Sequence, residues 1–488
     1  MIGMLFDVAI VGSGLSGLIT GAFLVKRGFN VLMVEIEEQS IEMEHQGYRL
    51  GRFPGAFYGF GKGQIFSEIF TELGIPFLDK KRFLMAEPAH QVIMPSRRID
   101  VSQDRDDLFK AINFEFPQDA GRVMAMMNEL DRHATVIRNF FTQDLVYPPT
   151  TFQEKRIAKR LIGNATELYR DSMETPFSQF LAGYDLGREA KTFVESQIQF
   201  LSPMYPDNPS LAFAANLAGL SNGGIFQVEG GIKVLENIFK ERISSYRGVV
   251  HRSPAVEGVD FGRYTEVKLA DQKEPFKCKA LLLTMNPESF FARYEPKTLE
   301  ELAAKTSLTP PEAHDFVLYI GIDENVVPVG MAPNAVLVAD PRQELINDNM
   351  IMLSLTSPTD EVIAPPGKRL IAARMKVRPS GPKINEAFAE VLAEKVLAAL
   401  RDLMPFFDDF FEFCAVKESY RLYVMERKQA WFQAIDDDKL GVGLMPNRTP
   451  NKSVFYTGPA VLPGLGMEGE AISARTIANI LSDKLAKN

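Results

Sequence analysis

The 488-residue chain has only two cysteines, one tryptophan and five histidines. Cys278 and Cys414 lie far apart with no C-x-x-C spacing. That excludes a disulfide framework, a cysteine zinc site and a dithiol redox relay, and suits a reducing compartment. His45, His90, His133, His251 and His314 are scattered without metal-ligand spacing, so no metal site is expected. Excess positive charge is missing too: the formal net charge of −9 argues against nucleic acid as a partner. One uncharged run, Val8 to Val25, reaches the length of a membrane helix, but glycines interrupt it. No basic segment precedes it, and Asp7 stands where a signal peptide would carry Lys or Arg, so a cytoplasmic protein is expected. Internal repeats and low-complexity segments are absent as well.

What is present describes an ordinary globular protein, 46% hydrophobic and 24% charged, long enough for two or more subdomains. Thirty-six phenylalanines and twenty methionines either line a large apolar cavity or fill a core; composition does not separate the two.

The N-terminus carries the sharpest signal. "DVAIVGSGLSGLITGAFLVKRGFNVLMVE" reads as strand (Val8–Val11), glycine turn, helix (Leu15–Arg27), a stop at Gly28 and Asn30, and a second strand (Val31–Val34). Gly12, Gly14 and Gly17 take the G-x-G-x-x-G spacing: one for the tight turn, one for backbone approach to a pyrophosphate, one for helix–strand packing. The loop Gly12, Ser13, Gly14, Leu15, Ser16, Gly17 would deliver a helix N-terminus to the phosphates. Glu35 stands where an acid accepts from ribose hydroxyls.

Strand and helix patterning returns between Gly223 and Asn286, with the pair Gly230-Gly231, a helix through Ile232, Leu235, Ile238 and Phe239, then strands at Gly248–His251, Ala255–Val259, "EVKLAD" and "KALLLTMN". Residues 90–222 read as mainly helical. Residues 315–377 hold four strand candidates, and a helix with Ile384, Phe388, Val391, Leu392, Val396 and Leu400 on one stripe follows. The expected fold is α/β: a Rossmann-like FAD-binding domain from discontinuous segments (1–88, 223–312, 441–488), plus an α+β substrate domain (89–222, 313–440) with a mixed or antiparallel sheet and helices.

The C-terminal stretch "SVFYTGPAVLPGLGMEGEAISARTIANILSDKL" repeats the N-terminal device: a strand, a loop with Gly458, Gly464, Gly466 and Gly469, and a helix from about Glu470. A second helix N-terminus suits the anionic reduced ring of a resident flavin better than a nicotinamide that comes and goes. The cofactor expected is FAD. Only one complete dinucleotide fingerprint is present, so no NADPH domain is expected.

These three segments together, "VAIVGSGLSGLITG…VLMVE", "VEGGIKVLENIF…AVEGV" and "FYTGPAVLPGLGMEGEAISARTIA", resemble the phytoene desaturase and carotenoid isomerase group of FAD-dependent oxidoreductases, which share the flavin amine oxidase fold. The resemblance implies that Gly12, Gly14 and Gly17 cradle the pyrophosphate and that Glu35 holds the adenosine ribose. It further implies that the Val256 backbone contacts adenine, and that Gly466, Met467 and Glu468 approach the flavin ring and ribityl chain. It implies a hydrophobic polyene or isoprenoid substrate and a quinone, dioxygen or protein carrier as electron acceptor. Two departures stand out. The Gly-Gly-Arg clamp usual after the ribose acid is missing, leaving Arg49, Arg52 or backbone alone, and Pro459 follows Gly458 where many relatives carry Asp. No catalytic acid or base is nameable from sequence.

Three further readings stay open. "GYRLGRFPGAFYGFGKG" (Gly47–Gly63) is a wall near the flavin or a surface loop. "FQEKRIAKRLI" (Phe152–Ile162) is a basic amphipathic helix that could rest on an anionic membrane, or a solvated face, and "MPFFDDFFEF" (Met404–Phe413) would help such docking or simply pack. For function, a flavin amine oxidase and a non-catalytic prenyl-lipid escort of the same fold compete with the desaturase reading. Trp431 and Tyr456 are the aromatics an amine cage would look to, though Trp431 precedes the glycine loop and Tyr456 belongs to the strand.

Overall fold

In the computed structural model the chain is described from residue 5 to 486, except 13, 38–41, 52–55, 77–80, 142, 144–145, 147–148, 150, 203–208, 286, 304–312, 379–383 and 430–444. Of residues 164, 426–429 and 463 only the backbone is described. Ser13, Arg52 and Trp431 therefore lie outside the described residues.

Two seven-stranded sheets organise the molecule. The first contains β1 (Leu5–Val11), β2 (Val31–Ile36), β9 (Val249–Ser253), β10 (Val256–Phe261), β11 (Thr265–Leu269), β12 (Phe276–Leu283) and β18 (Val454–Tyr456). β18, β12, β1, β2 and β9 run parallel in that order, while β10 and β11 form an antiparallel extension on β12. β1 and β12 read as nearly continuous apolar runs because helices cover both faces of a parallel sheet. The crossover from β1 to β2 is α1 (Leu15–Lys26), buried almost all round. Later helices here are α10 (Gly231–Ser245), α11 (Pro287–Tyr294), α12 (Pro296–Ala303) and the C-terminal α16 (Gly466–Ala486).

The second sheet contains β6 (His90–Met94), β7 (Arg97–Val101), β13 (His314–Asp323), β14 (Asn334–Val338), β15 (Met350–Leu355), β16 (Lys368–Val377) and β17 (Phe411–Cys414). It is mixed: only β14 and β6 are parallel. Side chains alternate as the pleat requires. Phe316, Leu318, Ile320 and Ile322 on β13, with Ile371, Ala373 and Met375 on β16, bury against α13 (Glu386–Leu403). Leu392, Val396 and Leu400 supply the facing stripe, about 2 kcal/mol of apolar burial each. The opposite face, with Met350 and Met352, joins the core of the first sheet.

A small hairpin, β3 (Glu42–His45) and β4 (Tyr48–Gly51), lies on the second sheet through Tyr48 and Leu50. β5 (Phe83–Met85) pairs with β8 (Phe226–Val228), and α2 (Ile65–Leu73) packs below the first sheet. The insert between β7 and β8 is helical: α3 (Arg105–Glu115), α4 (Ala120–Phe141), α5 (Phe152–Ile162), α6 (Thr166–Glu174), α7 (Phe177–Ala182), α8 (Arg188–Leu201) and α9 (Leu211–Ser221). The remaining helices are α14 (Phe407–Phe410) and α15 (Val416–Gln429).

Two sequence readings need correction. Residues 90–101 form the hairpin β6–β7, not helix, because Pro95-Ser96 turns the chain and the apolar residues follow a two-residue period. Val391 is not on the buried stripe of α13 but 54% exposed; Ala389 and Ala393 share the buried face with Leu392 instead. No described helix is long and apolar enough to cross a membrane.

Candidate cofactor site

β1, β12 and β18 are parallel, so their carboxyl ends open onto one edge of the first sheet. Gly12, Gly14, Thr284 and the turn after Tyr456 all fall there, where open α/β sheets bind ligands. Gly12 takes φ 107°, and a Cβ on it would sit 2.5 Å from Thr284 Oγ1. A Cβ on Gly17 would meet Thr284 Cγ2 at 2.5 Å. Both glycines are thus demanded by the protein's own packing. Gly14 is different. It is the N-cap of α1 with φ −60°, and its nearest Cβ contact would be Thr284 O at 3.4 Å, an ordinary separation. The protein's own packing therefore does not demand glycine at this position.

Leu15 is buried behind the loop, and Ser16 Oγ is buried with no hydrogen-bond partner among the described residues. An orphaned hydroxyl in the first turn of a helix suits a phosphate oxygen. Glu35 lies on β2 opposite Arg252 of β9, at the same edge. One of its carboxylate oxygens is paired with Lys240 of α10, a cation that sequence reading missed. Arg49, by contrast, points outward from the β3–β4 hairpin on the second sheet. Val256 begins β10 just past the end of β9, and its carbonyl accepts from Tyr294 Oη at 2.7 Å.

The second glycine loop meets the first. Thr20 Oγ1 of α1 donates to the Ala474 carbonyl of α16 at 3.2 Å, and Arg27 Nη1 donates to Ser482 Oγ at 3.0 Å. A step of seven residues from α1 to its C-cap matches one of eight along α16, so the two helices lie side by side and parallel. At about 1.5 Å rise per residue, Gly14 and Gly466 stand about 9 and about 12 Å from that first contact, so the tips are level to within one turn. Packed helices are about 10 Å apart, so both N-termini face one cleft. Gly466 adopts φ 51°, and Gly469 is required because a Cβ would lie 2.3 Å from the Leu462 carbonyl. On Gly458 a Cβ would strike Tyr456 Oη at 2.6 Å. A buried network fixes the α16 strand approach: Asn447 Nδ2 donates to Tyr456 O and Ser473 Oγ, and Thr457 shares a hydrogen bond with Ser473.

Met467 is partly buried, and Glu468 is only 1% exposed in the first turn of α16. Arg138 of α4 grips Glu468 through both guanidinium ends, at 2.7 and 3.0 Å. An unpaired carboxylate there would cancel the positive helix end; paired, it leaves the dipole available to an electron-rich ligand. Arg138 shares the stripe of Ala134, Ile137 and Phe141, and an arginine on an apolar stripe was the signal that sequence reading passed over. Of the segment 47–63, Ala56 to Tyr58 are buried rather than a surface loop. Burial, with the carboxylates of Glu468 and Glu470 nearby, raises the Tyr58 hydroxyl above its usual range; Arg374 opposes this. Arg374 and Lys376 lie on the inner face of β16 beside Asp315, with Lys376 at 3.1 Å. Burial would raise the Asp315 carboxyl, but the two cations hold it below the ordinary range. Cys278 and Cys414 are both pushed up to about 12 by burial, so neither offers a thiolate.

A family model described as an NAD(P)-binding Rossmann-like domain matches residues 10–73. A carotenoid 3,4-desaturase from Haloarcula japonica is 21% identical over 98% of this chain and 99% of its own. Among solved structures, an oxidoreductase from Methanosarcina mazei matches with TM-score 0.63 at 16% identity, covering 97% of this chain and 100% of that one. Cyclohexylamine oxidase from Brevibacterium oxydans matches with TM-score 0.59 at 14% identity, covering 99% and 100%. By fold, and by sequence along almost its whole length, this chain is an oxidoreductase that resembles the phytoene desaturase and carotenoid isomerase group.

Proposed function

We propose that the chain is an FAD-dependent oxidoreductase that moves hydride between the flavin and a C–H bond of a long apolar, carotenoid- or isoprenoid-like substrate. The observation that carries this is the side-by-side alignment of α1 and α16. A mobile nicotinamide needs one helix tip; a flavin held along its length uses two. The loop Gly12, Ser13, Gly14, Leu15, Ser16, Gly17 would hold the pyrophosphate, Glu35 the adenosine ribose, and the Val256 backbone the adenine. Gly458, Gly466, Met467 and Glu468 would approach the ribityl chain and ring. When bound, FAD supplies the two-electron acceptor, with N5 as the hydride position.

The rest belongs to the chain. Arg138 neutralises Glu468 and so keeps the α16 tip positive, while Tyr58 and the inner face of the second sheet exclude water. We assign residues 1–88, 223–312 and 441–488 to the cofactor domain and 89–222 and 313–440 to the substrate domain. Apolar burial at about 0.8 kcal/mol per CH₂ would hold an extended substrate in place. Electrons would leave to a quinone, dioxygen or a protein carrier. α5 would rest on an anionic membrane where such a substrate collects: Lys155, Arg156, Lys159 and Arg160 are exposed, as is Phe152 at 84%.

Amine oxidation is the second reading, and the inner face of β16 speaks against it. Among the described residues, two cations there stand beside one carboxylate, which repels an ammonium. The escort reading leaves the unused space at Gly14 and the orphaned Ser16 hydroxyl without purpose. Purified protein should absorb near about 450 nm and bleach anaerobically with polyenes. Colourless protein overturns every redox reading; bleaching by amines alone installs the second.

A further inference from the structure

A cavity of about 70 Å³ lies within the helical insert, between the β6–β7 hairpin and helices α3, α4, α8 and α9. Met126, Met127, Leu130, Ile198 and Leu201 make one side apolar. The other side is polar and incompletely satisfied. His90 lines it, 2% exposed, and neither ring nitrogen has a hydrogen-bond partner among the described residues. The same holds for Gln103 Nε2 and the buried Arg105 Nη1. A native fold rarely leaves three such groups unpaired around one space without a ligand or water to meet them.

The character of the missing partner follows from the charges. Asp131 pairs with Arg105 through its other terminal nitrogen, and Asn222 Nδ2 donates to Asp131 at 2.8 Å. The guanidinium charge is therefore matched within the wall. His90 packs its ring against Phe200 at 4.7 Å, and burial holds it neutral, its pKa near 3, so it offers one N–H rather than a cation. What remains is three donors, from His90, Gln103 and Arg105, and one accepting imidazole nitrogen, without net charge, beside flexible thioether walls that reshape around a guest.

We propose that this cavity is a second binding site, for an uncharged apolar molecule or end group that carries one carbonyl oxygen. The oxygen would accept from His90, Gln103 and Arg105 while the hydrocarbon packs on Met126, Met127 and Leu130. A carboxylate would find no net positive charge, and a pure hydrocarbon would leave the donors unpaired. The site is separate from the cofactor cleft but backs onto it. Ala218 and Ser221 of α9, with its C-cap Asn222, face the cavity, while Gly219 packs on Arg138, the partner of Glu468.

The test uses full-length protein labelled on methionine methyl groups, with the Met126 and Met127 signals assigned through leucine variants. Cyclopentanone, cyclopentane and cyclopentanecarboxylate share one ring and differ in the head. The proposal expects saturable shifts of those signals with cyclopentanone, at least about tenfold tighter than with either other compound. His90→Phe and Gln103→Leu should each weaken the ketone about tenfold, a loss of one hydrogen bond; using both keeps the test sound if one variant misfolds. Equal response to ketone and hydrocarbon overturns the proposal in favour of an apolar void. No saturable shift overturns it in favour of bound water, and tightest binding by the carboxylate overturns the uncharged head. Flavin absorbance on the same samples keeps the two assignments apart: colourless protein that still binds the ketone refutes the cofactor reading and leaves this one standing.

Discussion

Single residues carry the sharpest energetic consequences here because several charged or titratable groups are buried. Arg138 and Glu468 are the strongest case. Removing one partner leaves the other charge stranded away from water, at about 3–5 kcal/mol, whereas replacing both with apolar groups removes the problem. Arg138→Met and Glu468→Leu should therefore each lower the unfolding free energy steeply, and the double variant should recover most of the loss. A denaturant double-mutant cycle measures this; additive losses would show that the pair does not act as a unit. His90 supplies a pH-dependent case. Its pKa falls from about 6.5 in the unfolded chain to about 3 in the folded one, through burial. Between those values the unfolded chain binds the extra proton, so the neutral ring favours folding fully above pH 6.5 and progressively less on acidification. Stability should fall by about 1 kcal/mol per pH unit through that window, and His90→Phe should flatten this part of the profile. Urea midpoints from pH 7 to 4 decide it. An unchanged profile in the variant would locate the acid sensitivity elsewhere.

Elements were legible where local chemistry dictates them and illegible where it does not. The β1–α1–β2 unit announces itself through two apolar runs, three spaced glycines and a stop at Gly28. The four strands of residues 314–377 were readable because each is a predominantly apolar run between turn residues. The β6–β7 hairpin was not: its strands are five residues each, and they precede a long stretch of helices that colours the whole region. The phase of α13 was misread at Val391 because small alanines, not large residues, complete its buried face. At the site, the glycines were visible, but Arg138 pairs with a residue 330 positions away, and no local rule finds such a partner. The glycine loop itself offers a test of which glycines serve the fold and which serve a ligand. Gly12→Ala forces a left-handed backbone and a clash with Thr284, and should cost about 2–5 kcal/mol. Gly14→Ala should melt like the unchanged apoprotein yet lose the cofactor. Thermal melts with flavin content measured on the same preparations separate the two effects; a Gly14→Ala variant that keeps full flavin would show that nothing passes close to that Cα.

At the scale of the whole molecule, the two sheets divide the labour: one edge presents helix N-termini, and the other sheet offers an inner face backed by α13. The helical insert adds α5, an amphipathic helix with an exposed basic face. A capping box between Thr151 and Glu154 fixes its start, and Glu154 also pairs with Arg448 from the segment leading into β18. The helix is thereby anchored to the body of the protein on one side, with Ile157 packed against the core. Its other side carries four exposed cations and an exposed phenylalanine, with no buried function to explain them. A merely solvated face would be indifferent to lipid, whereas a docking face gains about 1 kcal/mol for each cation brought to an anionic surface. The protein should therefore sediment with vesicles containing phosphatidylserine, bind neutral vesicles far less, and dissociate as salt screens the charges. Reversing Lys155, Arg156, Lys159 and Arg160 to glutamate should abolish binding without changing thermal stability, since none of the four forms a buried contact. Phe152→Ser should weaken binding while leaving its salt dependence intact, because the ring contributes apolar insertion rather than charge. If the reversed variant binds as well as the parent, the basic face is solvated only, and a lipid substrate must reach the second sheet by another route.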